Sequence, residues 1–203
     1  MDFEDDDRVD ADIPRLLEEI PLLYRVRAFA DGLNAHSWFS RLGEHLDERE
    51  KHLARLYLDG LGFPDADPAL VESWEEAGYA AENPEMNSQA WEAEEMLRSG
   101  LVGRALERLD ESAVQTALTY VAQATADNAR EAMEDAAHIA DLEDEALIQA
   151  GAGALVQAAN GAALVVLAEA EDDDDPHPFV ARWRLFARGR WPIGLIGSSF
   201  NIL

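Results

Sequence analysis

From Ala146 to Ala168 the chain runs without a single charged side chain, inside a protein of formal net charge -26. As a helix the run is long enough to cross a bilayer, so how it is buried decides what the rest can fold into. The wider window from Arg130 to Arg182 holds no lysine or arginine between its ends, yet contains thirteen carboxylates. A membrane span is disfavoured. Gln149, Gln157 and Asn160 interrupt the run, alanine and glycine supply most of it, and both flanks are acidic, with neither basic anchors nor an aromatic belt. A helix wrapped on all sides by protein is expected instead.

Small residues specify how it packs. Gly151, Ala154, Ala158 and Gly161 recur at helical spacing and form one seam where another backbone can approach closely. Each mid-helix glycine costs about 1 kcal/mol relative to alanine, which close packing must offset. The expected partner is the preceding helix, opened by a capping box at Ser112-Ala-Val-Gln115 and running to about Ala140. Asp141 to Asp144 make the turn, and the second helix runs from Glu145 to Glu169. A hairpin over residues 112–170, turning at 142 and 143, places Asn128 opposite Gln157 and Thr125 opposite Asn160. These groups are expected to pair, since an unpartnered buried amide costs about 1–3 kcal/mol. The alternative is that they line a ligand cavity.

Elsewhere the punctuation is helical. Residues 1–11 read as a solvated, disordered acidic arm, and residues 12–203 as one helical domain. Asp12 and Pro14 predict a short helix that Pro21 restarts, with a stop at Gly32. A third helix is expected from Asn34 or Ser37 to Gly60 on a stripe of Leu42, Leu46, Leu53, Leu56 and Tyr57. Asp67-Pro68 predicts a helix start and Gly78 its end. Asn83-Pro84 marks a loop, Asn87 or Ser88 a cap, and Gly100 a break before a helix from Leu101 to Leu109. Residues 171–178 read as an acidic, proline-closed linker. Residues 179–203 read as an Arg/Trp-rich helix to Arg188, stopped at Gly189, then a small β-hairpin around Gly197-Ser198-Ser199. The fold class is therefore all-α: a multi-helix bundle around a tight Ala/Gly-rich antiparallel hairpin, closed by a small C-terminal β element.

The chain has 42 Asp and Glu against 16 Lys and Arg. Such a surface repels nucleic-acid phosphates and anionic lipids, so neither nucleic acid nor membrane is an expected partner. Three readings of the acidity stand: a surface suited to concentrated salt, an acidic protein from an arginine-favouring genome, or a functional acidic face for a basic partner. Cysteine is absent, which excludes disulfides, thiolate nucleophiles and cysteine metal sites. The acidic N-terminus lacks the basic and apolar regions of a secretory signal, so cytoplasmic residence is expected.

Chemistry-bearing patterns are sparse. Glu131, Asp135 and His138 stand at i, i+4 and i+7, flanked by Glu134 and Asp141, and His45, Glu48 and His52 form a second triplet. Carboxylate and imidazole at this spacing build divalent metal sites in helical bundles. The paired Glu-x-x-His motif of such bundles is missing, however, and Asp135-x-x-His138 is its nearest match. A solvated face accounts for either triplet. No nucleophile elbow, phosphate loop or dinucleotide fingerprint occurs. The C-terminal segment stands out, because Arg182, Arg184, Arg188 and Arg190 interleave with Phe179, Trp183, Phe186 and Trp191. Arginine among aromatics makes contact hot spots. The competing reading docks the aromatics onto the bundle and pairs the arginines with its acidic surface.

Two functional classes follow. The first is a non-catalytic interaction or regulatory module without cofactor, contacting a protein partner or a second copy of itself through Arg182, Trp183, Arg184, Arg188, Arg190 and Trp191. The second is a metal-dependent helical-bundle enzyme built on one of the histidine triplets.

Overall fold

The computed structural model describes residues 20–83, 88–172 and 175–203. The expected acidic arm, the helix from Asp12, the Pro84 loop with its Asn87 cap, and part of the acidic linker lie outside these residues. Seven α-helices and a three-stranded sheet are present among the described residues. They are α1 (Pro21–Gly32), α2 (Glu48–Leu61), β1 (Asp67–Leu70), α3 (Trp74–Glu82), α4 (Ser88–Leu106), α5 (Glu111–Ile139), α6 (Glu145–Leu167), α7 (Pro178–Ala187), β2 (Pro192–Ile196) and β3 (Ser199–Ile202). The architecture is mainly helical with a small C-terminal sheet, as the sequence implies.

The α5–α6 hairpin is the largest helical contact in the molecule. Asp110 starts α5 by accepting a hydrogen bond from the Ala113 amide at 2.7 Å, and Asp144 caps α6 through the Leu147 amide at 3.0 Å. The first cap lies two residues before the expected Ser112, whose hydroxyl instead donates to Asp110 at 2.7 Å. Gly151 packs on Met133 of α5. The thioether end of Met133 occupies the space a Cβ there would take, so the glycine gives that side chain its place between the two helices. Gly161 serves a different neighbour: its absent Cβ would meet Phe179 of α7 at 3.3 Å. The small-residue seam is thus divided between two helices, not given wholly to α5. Of the helices, only α6 is long and apolar enough to cross a membrane among the described residues. Its most apolar window is 61% buried within the chain, which fits a soluble protein.

Two apolar cores meet at α7. Phe179, Trp183 and Phe186 face the core formed with α1, α5 and α6, whereas Ala181 and Leu185 face a second core of α2 and the sheet. A ten-residue helix with both faces buried explains why the C-terminal third of the chain is so rich in aromatics.

Three local expectations are corrected. Residues 33–47 are not helical beyond a 3₁₀ turn at Leu33–Ala35, and α2 begins only at Glu48. Left-handed backbone at Phe39 (φ 54°) and Gly43 (φ 70°) breaks any helix upstream, and a capping box supplies the start. There the Asp47 carboxylate accepts from the Glu50 amide while Glu50 Oε2 accepts from the Asp47 amide, both at 2.9 Å. Asp67-Pro68 opens strand β1 and not a helix, because Ser73 caps α3 by accepting from the Glu76 amide. Proline is tolerated in β1 because that strand lies at the sheet edge. Finally, Gly100 does not interrupt α4, which runs unbroken to Leu106.

The strand order is β1-β3-β2, with β1 parallel and β2 antiparallel to β3. The expected hairpin is present, and β1 extends it along the free side of β3, Asp67 pairing with Ser199 and Leu70 with Ile202. Gly189 joins α7 to this sheet at φ 82°, its carbonyl accepting from the Arg41 amide at 3.1 Å. A Cβ there would lie 2.5 Å from Ser40 Oγ, so both conformation and space require glycine.

Candidate functional site

The arginine-aromatic segment is turned inward. Trp183 is 7% exposed, Trp191 2% and Arg190 0%. Arg190 reaches across to the start of α2. Its Nη1 donates to the carbonyls of Arg41 and Glu44, the latter at 2.7 Å, and its Nη2 donates to the His45 carbonyl at 2.8 Å and to Glu50 Oε2 at 3.0 Å. Glu50 is equally buried and also accepts from Arg41 Nη1 at 2.6 Å. Arg188 Nη2 bonds Asp47 Oδ2 at 2.5 Å. The capping box of α2 is therefore the anchor of a charged network that ties the 41–45 loop to the C-terminal segment. Arg182 pairs with Glu94 Oε1 at 2.8 Å, and Tyr57 donates its hydroxyl to the same oxygen at 2.5 Å. Burial pushes the Tyr57 phenol far above its usual range. As a contact surface, Trp183, Arg190 and Trp191 are not accessible, because the aromatics fill the cores and the guanidinium satisfies loop carbonyls. Arg182, Arg184 and Arg188 keep partial exposure.

The polar groups of the hairpin behave differently from the expected cross-helix pairs. Thr125 is buried but donates its hydroxyl to the Val121 carbonyl of its own helix at 2.6 Å. Asn128 likewise reaches the Ala124 carbonyl at 3.5 Å, and Gln157 is exposed. Asn160 Oδ1 is buried without a hydrogen-bond partner among the described residues. Back-bonding within a helix satisfies Thr125 locally and removes its need for Asn160.

Neither histidine triplet converges. Glu131, Asp135 and His138 are all exposed on α5. His45 lies before α2 begins, so it does not share a helix face with Glu48 and His52. Among the described residues no group of three or more His, Asp or Glu side chains is placed to hold a metal ion.

The structure does assemble a cleft of about 460 Å³ that the sequence did not signal. It is lined by the 36–42 loop, carrying His36, Trp38, Phe39 and Leu42, and by Trp74 with the last turns of α5, ending at Ile139. The wall is backed by a cluster of edge-on and tilted rings around Trp183: Trp38 lies 5.1 Å, His36 5.7 Å and Phe29 5.2 Å from its ring centroid. Burial lowers the pKa of His36, which favours its neutral form. Phe39 holds its left-handed backbone by burying its ring edge-on against Phe186, 6.0 Å away. Such a conformation costs a bulky residue about 1–3 kcal/mol and clusters at binding sites. Ile139, on the rim, is 87% exposed. The His36-Ser-Trp-Phe39 run was the one available cue, hidden by the expectation that it began a helix.

No protein-family model, no curated protein and no solved structure matches the chain.

Proposed function

We propose that the chain is a non-catalytic, cytoplasmic interaction module that takes an apolar side chain or helix face of a protein partner in the cleft between the 36–42 loop and α5. The composition of the cleft wall carries this reading. Its twelve residues include one carboxylate, Asp135, in a chain whose residues are 29% charged. A concave, largely apolar site of this volume is the usual form of a binding pocket. Ile139 stands on the rim of the cleft and projects into solvent, so a second copy related by a two-fold axis can exchange Ile139 side chains with the first. A homodimer is one form the interaction takes.

Ile139→Glu tests the reading, since a side chain so exposed contributes almost nothing to the fold. The variant is expected to melt with the wild type yet lose association, read as a light-scattering mass or as a co-purifying protein retained only by the wild type. A wild type that stays monomeric and retains nothing the variant fails to retain would remove the basis for this function.

A further inference from the structure

A second cleft, of about 380 Å³, opens between α2 and α7. Arg49 and His52 line it from α2, Arg184 from α7 and Arg188 from just past the end of α7, over a floor that includes Leu53 and Ala187; no carboxylate lines it among the described residues. For a protein of net charge -26 this is an unusual place. The sixteen lysines and arginines include Arg8 and Arg15, which lie outside the described residues. Of the other fourteen, twelve make an ion pair or a hydrogen bond to a carboxylate or carbonyl. Arg49 and Arg184 are the two that make none among the described residues, and both line this cleft.

The neighbouring network does not compensate them. Arg41, Arg188 and Arg190 are balanced by Glu44, Asp47 and Glu50, three cations against three anions. Glu171, which lies along an adjoining cleft that Arg184 also borders, is held by Arg25. Two guanidiniums in one groove that no carboxylate pairs among the described residues offer a place for an anion from outside the chain.

We propose that the α2–α7 groove binds a small phosphorylated molecule through its phosphoryl group, with Arg49 and Arg184 clamping the oxygens. The charge selects this class. A phosphate monoester carries about -1.5 to -2 at neutral pH, which matches two free guanidiniums, whereas a monocarboxylate leaves one unanswered. Planar guanidinium forks suit phosphoryl oxygens. The apolar floor accepts an organic remainder, and the volume lies at the small end of ligand pockets. A long polyanion is excluded, because the acidic body beyond the groove repels it.

The test titrates inorganic phosphate into ¹⁵N-labelled full-length protein, at ionic strength held constant with KCl. Saturable amide shifts confined to the faces around residues 49–56 and 184–188 are expected. Arg49→Ala with Arg184→Ala should weaken binding at least tenfold while leaving the melting temperature unchanged. Arg108→Ala with Arg130→Ala, which removes the same charge elsewhere, should leave it within about twofold. The proposal falls if shifts fail to saturate, if the first double variant binds like wild type, or if both double variants weaken it equally. Tighter binding of succinate at the same amides would reassign the groove to dicarboxylates and overturn the phosphoryl reading. Should the first double variant not fold, the wild-type shift map decides, and shifts scattered over other surfaces end the proposal.

Discussion

Arg190 Nη2 donates to Glu50 Oε2 at 3.0 Å, and neither residue exposes any surface. Breaking a buried pair by removing one partner strands the other charge, which typically costs about 3–5 kcal/mol. Arg190→Ala and Glu50→Ala should each lower the unfolding free energy by about that amount in urea. Glu50 also closes the capping box, so Glu50→Gln should cost less than Glu50→Ala. A loss below about 1 kcal/mol for Arg190→Ala, the range of exposed pairs, would show that the network is solvated.

Glycines separate into those that need the space and those that do not. A Cβ at Gly60 of α2 would fall 2.5 Å from Pro178 Cγ and 3.0 Å from Cδ, on a ring that cannot bend away. Gly60→Ala should therefore destabilise by about 1–3 kcal/mol despite the better helix propensity, and Pro178→Ala should restore part of the loss. Gly100 and Gly103 of α4 have nothing within 4 Å of the same atom. Alanine at either should stabilise by about 0.4–1 kcal/mol in a thermal melt. Equal effects at Gly60 and Gly100 would contradict the packing of α7 on α2.

Acid should act through two histidines before it reaches the carboxylates. Burial lowers the pKa of His36, and burial with the Arg104 charge lowers that of His177, whose Nδ1 accepts from the Phe179 amide at 3.2 Å. The unfolded chain then takes up protons first as pH falls through the ordinary imidazole value of about 6.5. Stability contributed by neutral imidazole is present above that value and is lost below it. His36→Gln and His177→Asn should each flatten the decline of unfolding free energy from pH 7 to pH 5, relative to wild type. Asp47 and Asp110 act at lower pH. Hydrogen bonds from the Glu50 amide and Arg188 lower the first carboxyl, and bonds from the Ser112 hydroxyl and the Ala113 amide lower the second. Their contribution is complete above the ordinary carboxyl range and disappears as pH falls through the lowered values. Variant and wild-type curves that run parallel would deny the histidines this role.

Salt should stabilise the fold. Screening shortens the range of surface repulsion from about 10 Å at 0.1 M to about 3 Å at 1 M, and a net charge of -26 gives that repulsion weight. The melting temperature should rise with KCl over this range. A flat or falling profile would mean that the carboxylates are spaced widely enough not to oppose folding.

The hairpin is legible in the sequence because its information is local. A turn at residues 142 and 143 predicts that residue 134 faces Gly151, and Met133 does so instead, one position away. The apolar face of α7 is legible for the same reason, since Phe179, Trp183 and Phe186 repeat at helical spacing and all fill one core. Strand β1 is illegible because its partner β3 lies far along the chain and no alternation marks its four residues. The 36–42 wall is masked by Leu42 and Leu46, whose spacing imitates a helix that Phe39 and Gly43 forbid. Arg190 could not be told from a surface arginine, because what buries it is a set of backbone carbonyls, which leave no trace in residue identity.

The central position of β3 sets an order on biosynthesis. A ribosome that has delivered the chain as far as Ala187 has supplied all seven described helices, but β1 still lacks its pairing strand and Glu50 its buried cation. The second core stays unsealed until Phe200 and Ile202 leave the exit tunnel. A nascent chain stalled short of residue 190 is thus expected to expose the α2 region to proteases and chaperones that the released protein escapes.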